Sequence, residues 1–194
     1  LYILAFAGTE NLKDWITDIR QGIGLDNKKR GQYRKATELA RKLQHKIKKE
    51  NLVITGHSLG GGLASIASAT TGCNAYTFNA AGLHPKTLKD QELSPNSMGQ
   101  IQAYYSTDDP LNMIQNNRSI LGPLLVSSGN AFLAYLGRGL MLGDNLPQVA
   151  GEKIGLETNS NIIDGHSLKE SNLLNTLKSE KENNPDVLVV TSDF

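Results

Sequence analysis

The sequence predicts an α/β fold: a mainly parallel central sheet with helices on both faces. Three observations carry this expectation. Leu52-Val53-Ile54 is a short apolar run with two β-branched residues, the pattern of a strand covered on both sides. From Leu59 onward, Leu63, Ile66 and Ala67 recur at helical spacing, so a helix follows that strand at once. Strand-like Leu1–Ala7, Ala75–Ala80 and Ile101–Ser106 also alternate with helix-like segments, an order that lays strands parallel. At 194 residues the whole chain, 1–194, reads as one domain with room for a proper core.

Leu1–Ala7 is a near-continuous apolar run and is expected to be a central strand. The chain opens on it without Met, so preceding sequence is expected to have been cut away at the N-terminus or to belong to a larger protein. In Glu10–Arg20, Leu12, Trp15, Ile16 and Ile19 share one helical face, which makes Trp15 a core residue. Gln21–Asn27, with Gly22 and Gly24, reads as a loop. Lys28–Glu50 is an amphipathic helix, with Tyr33, Ala36, Leu39, Leu43 and Ile47 at steps of three and four. Ten of the chain's 20 Lys and Arg residues fall between Lys28 and Lys49, opposed only by Glu38. They form either a solvated face or a patch that attracts anionic lipid headgroups. His45 on this helix is expected to face solvent.

Past Ala80, Lys86–Gly99 reads as a short helix and a polar loop broken by Pro95. Leu111–Ile163 is the least regular part. Its apolar stretch Ile120–Leu146 contains Phe132, Tyr135 and Met141 and is charged only at Arg138 and Asp144. It is either a helical hairpin completing the core or an apolar cover over a site, able to dip into lipid; in the second case these three side chains would meet substrate. Asn159–Gly165 is a polar loop leading to His166, and Ser167–Lys178 returns to helix. Asn183-Asn184-Pro185 is a turn, and Val187–Val190 a final strand.

A net charge of +1 argues against a general nucleic-acid binder. The single Cys73 excludes an internal disulfide framework and a cysteine-rich metal site. No run is apolar and charge-free enough for a membrane span, and no secretory leader is recognisable. No ligand cluster for a metal and no cofactor motif stands out.

The chemistry lies in Gly56-His57-Ser58-Leu59-Gly60, a Gly-x-Ser-x-Gly pentapeptide between strand and helix. That setting defines a nucleophile elbow. A turn this sharp strains the serine backbone, and side chains at positions 56 and 60 would strike the neighbouring strand and helix. Ser58 then sits at a helix N-terminus, which favours developing negative charge. A serine hydroxyl needs a base, and the base an acid that fixes its tautomer. In such folds the order along the chain is Ser…Asp…His. His57 lies within the turn and should point away, His45 precedes the serine, and His84 precedes the best acid. His166, opening the last helix, fits. Asp109, held before Pro110, is preferred as acid over Asp108, with Asp164 a weaker rival. The backbone N–H groups of Thr9, at the end of the first strand, and Leu59, after the serine, are candidate oxyanion donors.

Thr55–Ala64 resembles the nucleophile segment of the class 3 (fungal-type) lipases and their bacterial relatives. Ala5-Phe6-Ala7-Gly8-Thr9 with Asp14–Asp18 resembles the oxyanion segment, departing at Ala7, where the family usually has Arg. Asp108-Asp109-Pro110-Leu111 resembles the acid segment and Gly165-His166-Ser167-Leu168 the histidine segment. Thr77–Leu83 is closer to a bacterial phospholipase-like branch, some of whose members are antibacterial lipase effectors of secretion systems. The resemblance spans about residues 2–170, with gaps at 21–28 and 112–163. It implies an α/β-hydrolase cleaving acyl esters of glycerophospholipids or glycerides, with peripheral membrane contact. For an effector it further implies secretion or delivery and a cognate immunity protein. The rival expectations are a soluble carboxylesterase or thioesterase, told apart by turnover that does not rise at lipid surfaces, and an inert α/β-hydrolase binding a partner through Ile120–Leu146, told apart by absent serine reactivity.

Overall fold

Five parallel strands, in spatial order β1-β2-β3-β4-β5, make the sheet of the computed structural model, which describes residues 1–8, 27–83, 85–107, 148–157 and positions 123, 126 and 127. The strands are β1 (Tyr2–Phe6), β2 (Leu52–His57), β3 (Ala75–Phe78), β4 (Ile101–Ser106) and β5 (Glu152–Leu156). Spatial order equals chain order, so every connection crosses over in the same direction along the sheet. All C-terminal strand ends therefore share one rim. Ser58 stands on it directly after β2, and Thr107 directly after β4.

Helix α1 (Asn27–Gln44) packs on α2 (Leu59–Thr71), and α2 packs on β1, β2 and β3. The sequence of α2, Leu-Gly-Gly-Gly-Leu-Ala-Ser-Ile-Ala-Ser-Ala-Thr-Thr, is small enough to bring its backbone close to both layers. Two of its buried hydroxyls are satisfied within the helix: Ser65 Oγ donates to the Gly61 carbonyl at 2.9 Å, and Thr71 Oγ1 to the Ala67 carbonyl at 2.9 Å. One core cluster lies between sheet and helices, built from Ala40, Leu52, Ile54, Ala64, Ala67, Cys73, Ala75 and Ile101. A second joins α1, α2 and the short α3 (Pro85–Asp90) through Tyr33, Ala36, Leu63, Ile66 and Leu88. On the sheet's other face Phe78 and Tyr104 stack at 5.8 Å, with Leu156 beside them. The expected helices at 10–20 and 167–178, the final strand at 187–190 and Trp15 lie outside the described residues.

The structure corrects three expectations. β1 is not central among the described residues: it pairs only with β2, and Tyr2 and Ile3 are exposed. Two-sided apolarity alone does not fix a strand's place in the order. The basic helix stops at Gln44 rather than Glu50, and Lys49–Asn51 is a separate 3₁₀ turn. Ile47 still packs against the core, its N–H donating to the Leu43 carbonyl at 2.8 Å, so the apolar period ran on past the helix end. β5 lies inside the stretch expected to be an irregular helical insertion, Leu111–Ile163, and pairs parallel with β4. Its charged Glu152 and Lys153 and its Gly155 hide the strand signal; a side chain at 155 would stand 2.9 Å from the Tyr105 hydroxyl. His45 is exposed, as expected.

Candidate active site

β2 ends at His57, and the chain reverses into α2 through Ser58, whose backbone lies at φ 54°, ψ −123°. A non-glycine residue there carries strain on the order of 1–3 kcal/mol, held by its surroundings. Backbone hydrogen bonds hold it here. The Ser58 N–H donates to the Phe78 carbonyl at 3.0 Å, and the Ser58 carbonyl accepts from Gly61 at 2.9 Å and from Ala81 at 2.8 Å. Ser58 is 1% exposed and forms no side-chain cap on the first turn of α2.

The glycines behave as the pentapeptide requires. A Cβ on Gly56 would collide with the Gly60 carbonyl, and one on Gly60 with the Phe6 carbonyl at the end of β1. Gly61 and Gly62 continue the pattern: their Cβ atoms would stand 2.6 Å from Ala80 Cβ and 2.6 Å from the Tyr33 hydroxyl. So α2 starts wedged between β1, the β3 exit and α1. Tyr33 is buried there, and desolvation pushes its phenol up to about 12. Gly8 closes the other side, its Cβ position 2.5 Å from the His57 carbonyl and 3.4 Å from Ser58 Cβ. The segment leading into Thr9 therefore passes against the serine.

Taken together, these features are the strand–turn–helix geometry that a nucleophile elbow requires. A profile of the phospholipase-like group, the Tle-like phospholipase domain, matches residues 1–161. The chain belongs to the Tle-like phospholipase family. It is also similar to an extracellular phospholipase A1 of Serratia liquefaciens, with 39% identity over 126 residues, 62% of this chain and 38% of the relative. The chain thus spans well under half the length of that curated relative. Membership bears out the resemblance to bacterial phospholipase-like lipases and the α/β class. The relative's name describes an extracellular enzyme, and no helix among the described residues is long and apolar enough to cross a membrane.

Of the residues expected to act, the structure describes Ser58 and Leu59, at the elbow as anticipated. Thr9, Asp108, Asp109, Asp164 and His166 lie outside the described residues, as do Phe132, Tyr135, Met141 and His84. β4 leads out on the same rim of the sheet as Ser58. Thr107 ends the described part of the β4 exit, with its N–H donating to the Leu156 carbonyl at 3.0 Å. β5 ends on that rim too, upstream of His166.

Sequence reasoning passed over Asn79. It follows β3 with a left-handed backbone (φ 42°) and is 1% exposed. Its N–H donates to the Tyr104 carbonyl at 2.9 Å, and its Oδ1 accepts the Ser106 N–H at 2.8 Å. The available signal was an asparagine directly after a strand, a residue that tolerates positive φ and can bond locally.

Proposed function

We propose that this chain is the catalytic domain of a secreted phospholipase cleaving an acyl ester of glycerophospholipids through Ser58, His166 and Asp109. The observation that carries the reading is Ser58 itself, strained at a glycine-lined turn on the C-terminal rim of a parallel sheet, in a phospholipase-like family. Such a turn presents a hydroxyl to substrate beside a helix N-terminus whose first N–H groups have no acceptor within the helix.

In this mechanism His166 takes the Ser58 proton as Oγ attacks the ester carbonyl carbon. The carbonyl π electrons move onto oxygen, where the N–H groups of Leu59 and Thr9 stabilise the charge. Collapse expels the glycerol-side alkoxide, which His166 protonates, leaving an acyl-Ser58 ester. Water, deprotonated by His166, then releases the fatty acid and restores the serine. Asp109 holds the imidazole and stabilises its cation. The passage of Gly8 against Ser58 supports Thr9 as a donor, and the anchored Thr107 supports an acid one or two residues later. Phe132, Tyr135 and Met141 are assigned to the acyl chain, with peripheral contact between the apolar stretch and the bilayer. The relative's name supports A1-type cleavage and secretion. Delivery as an antibacterial effector, with an immunity protein as partner, rests on the resemblance of Thr77–Leu83 to the bacterial phospholipase-like branch alone.

The test is incubation of the protein with mixed bilayer phospholipids and resolution of products by mass. Free fatty acid and lysophospholipid are expected, together with fluorophosphonate labelling that disappears in Ser58→Ala. Undiminished labelling of that variant refutes the nucleophile. Turnover of short soluble esters alone, with no gain at lipid surfaces, moves the assignment to a soluble carboxylesterase.

A further inference from the structure

We infer that Asn79 is a positioning residue, setting the acid segment at Asp108-Asp109 in register with the Ser58 turn. This role rests on the reading of Ser58 as nucleophile and of that segment as the source of the acid.

A strand that turns out of a parallel sheet forfeits the backbone acceptor for its neighbour's next N–H. β3 turns out at Asn79, where φ is 42°. From there the chain runs to Ala81, whose N–H clips the Ser58 carbonyl at 2.8 Å, while Ala80 lies against Gly61. The strand's departure thus serves the nucleophile turn. Left alone, it would release β4 just where β4 approaches the acid. The Asn79 side chain prevents this: Oδ1 accepts the Ser106 N–H at 2.8 Å, continuing the contact that its own N–H makes with Tyr104. Ser106 is fully buried, so its N–H has no water to fall back on. On the far side Thr107 is tied to Leu156 in β5. The peptide before Asp108 is therefore gripped from both neighbouring strands, and one grip comes from the residue whose backbone starts the clip on the serine.

Few residue types meet both demands. Glycine would take the backbone geometry without the amide, and alanine supplies neither. Aspartate tolerates positive φ and carries an oxygen at the same reach.

The experiment compares Asn79→Gly and Asn79→Asp with the parent on a diacyl phosphatidylcholine in detergent micelles, with thermal midpoints recorded alongside. Misplacing a catalytic group by about 1 Å costs on the order of 100-fold, so Asn79→Gly should lose about that much in kcat, with KM changed less than about threefold. Asn79→Asp should recover at least about tenfold over glycine. The decisive readout is a cycle with Asp109→Asn, or with Asp108→Asn if that variant is the more damaging. If Asn79 acts through the acid, its glycine variant should cost less than about threefold once the acid is gone. Full additivity overturns the inference, as does parent-level kcat in folded Asn79→Gly. Should Asn79→Gly not fold, Asn79→Asp with kcat reduced about 100-fold overturns it alone. Ser58→Ala separates the two levels: if it stays active the reading of Ser58 as nucleophile falls, and if it is dead while Asn79→Gly is unimpaired only the Asn79 role falls.

Discussion

Ser58 and Ser68 sit at opposite ends of the same helix, and both are almost inaccessible, yet their surroundings differ in kind. At the C-terminal end of α2 every nearby hydroxyl is committed to structure. Ser68 Oγ donates to the Cys73 carbonyl at 2.7 Å and accepts the Gly99 N–H at 3.2 Å. Ser97 Oγ donates to the Ala69 carbonyl at 2.8 Å, and Gly72 closes the helix in the left-handed conformation. At the N-terminal end the backbone is strained, the serine forms no cap, and the glycines leave no side chain in the way. At one end the hydroxyl bridges two backbone groups; at the other the backbone is strained and the first turn has no side-chain cap. Burial alone does not distinguish the two serines, whereas backbone geometry does.

The sharpest way to break this contrast is to remove each hydroxyl. Ser58→Ala should lower phospholipid turnover by about 10⁶-fold, with a thermal midpoint within a few degrees of the parent. A large drop in midpoint instead would make Ser58 a structural serine like Ser68. Next in size is the acid: Asp109→Asn should cut kcat by about 10⁴-fold and Asp108→Asn by much less, in the same turnover assay. The reverse ranking moves the acid to Asp108. Gly60→Ala tests whether the active end is crowded by backbone. With Phe6 and Ala7 in the path of the new methyl, it should destabilise by about 3 kcal/mol or more in urea titration.

The seam beside that end has a pH signature. Burial favours the neutral Tyr33 phenol and holds it near 12, against 10.0 when exposed. The unfolded chain therefore loses this proton first, so stability is fully present below about pH 10 and declines towards pH 12, by roughly 3 kcal/mol from this group. Tyr33→Phe should flatten that part of the curve, and an unchanged slope would show that the phenol is not buried. Ser68→Ala should cost about 1–3 kcal/mol by leaving two backbone groups short of a partner, with kcat unchanged. A loss of kcat there would erase the distinction between the helix ends.

The sequence made the active end of α2 legible because its constraint is steric and local. Gly56 and Gly60 have to be glycine for reasons four residues apart, and a strand before and a helix after complete the pattern. β5 was not legible because a strand that pairs only with β4 among the described residues can carry Glu152 and Lys153 outward and a glycine under Tyr105 without losing that pairing. The end of α1 was missed because Ile47 kept the helical period after the helix had stopped. Asn79 was missed for a different reason. Its importance comes from Ser106, a partner distant in the chain that no local pattern indicates.

Phe6 lies beside Gly56 across the sheet, and Phe78 and Ala81 grip Ser58 from beyond the next helix. The working turn thus draws on three stretches of chain that meet only when distant strands dock, the slow kind of assembly. A polypeptide caught midway holds Ser58 but not the bend that its proposed role needs. Lipid-cleaving power should therefore return at the last and slowest stage of renaturation, leaving incomplete chains harmless to the membranes around them.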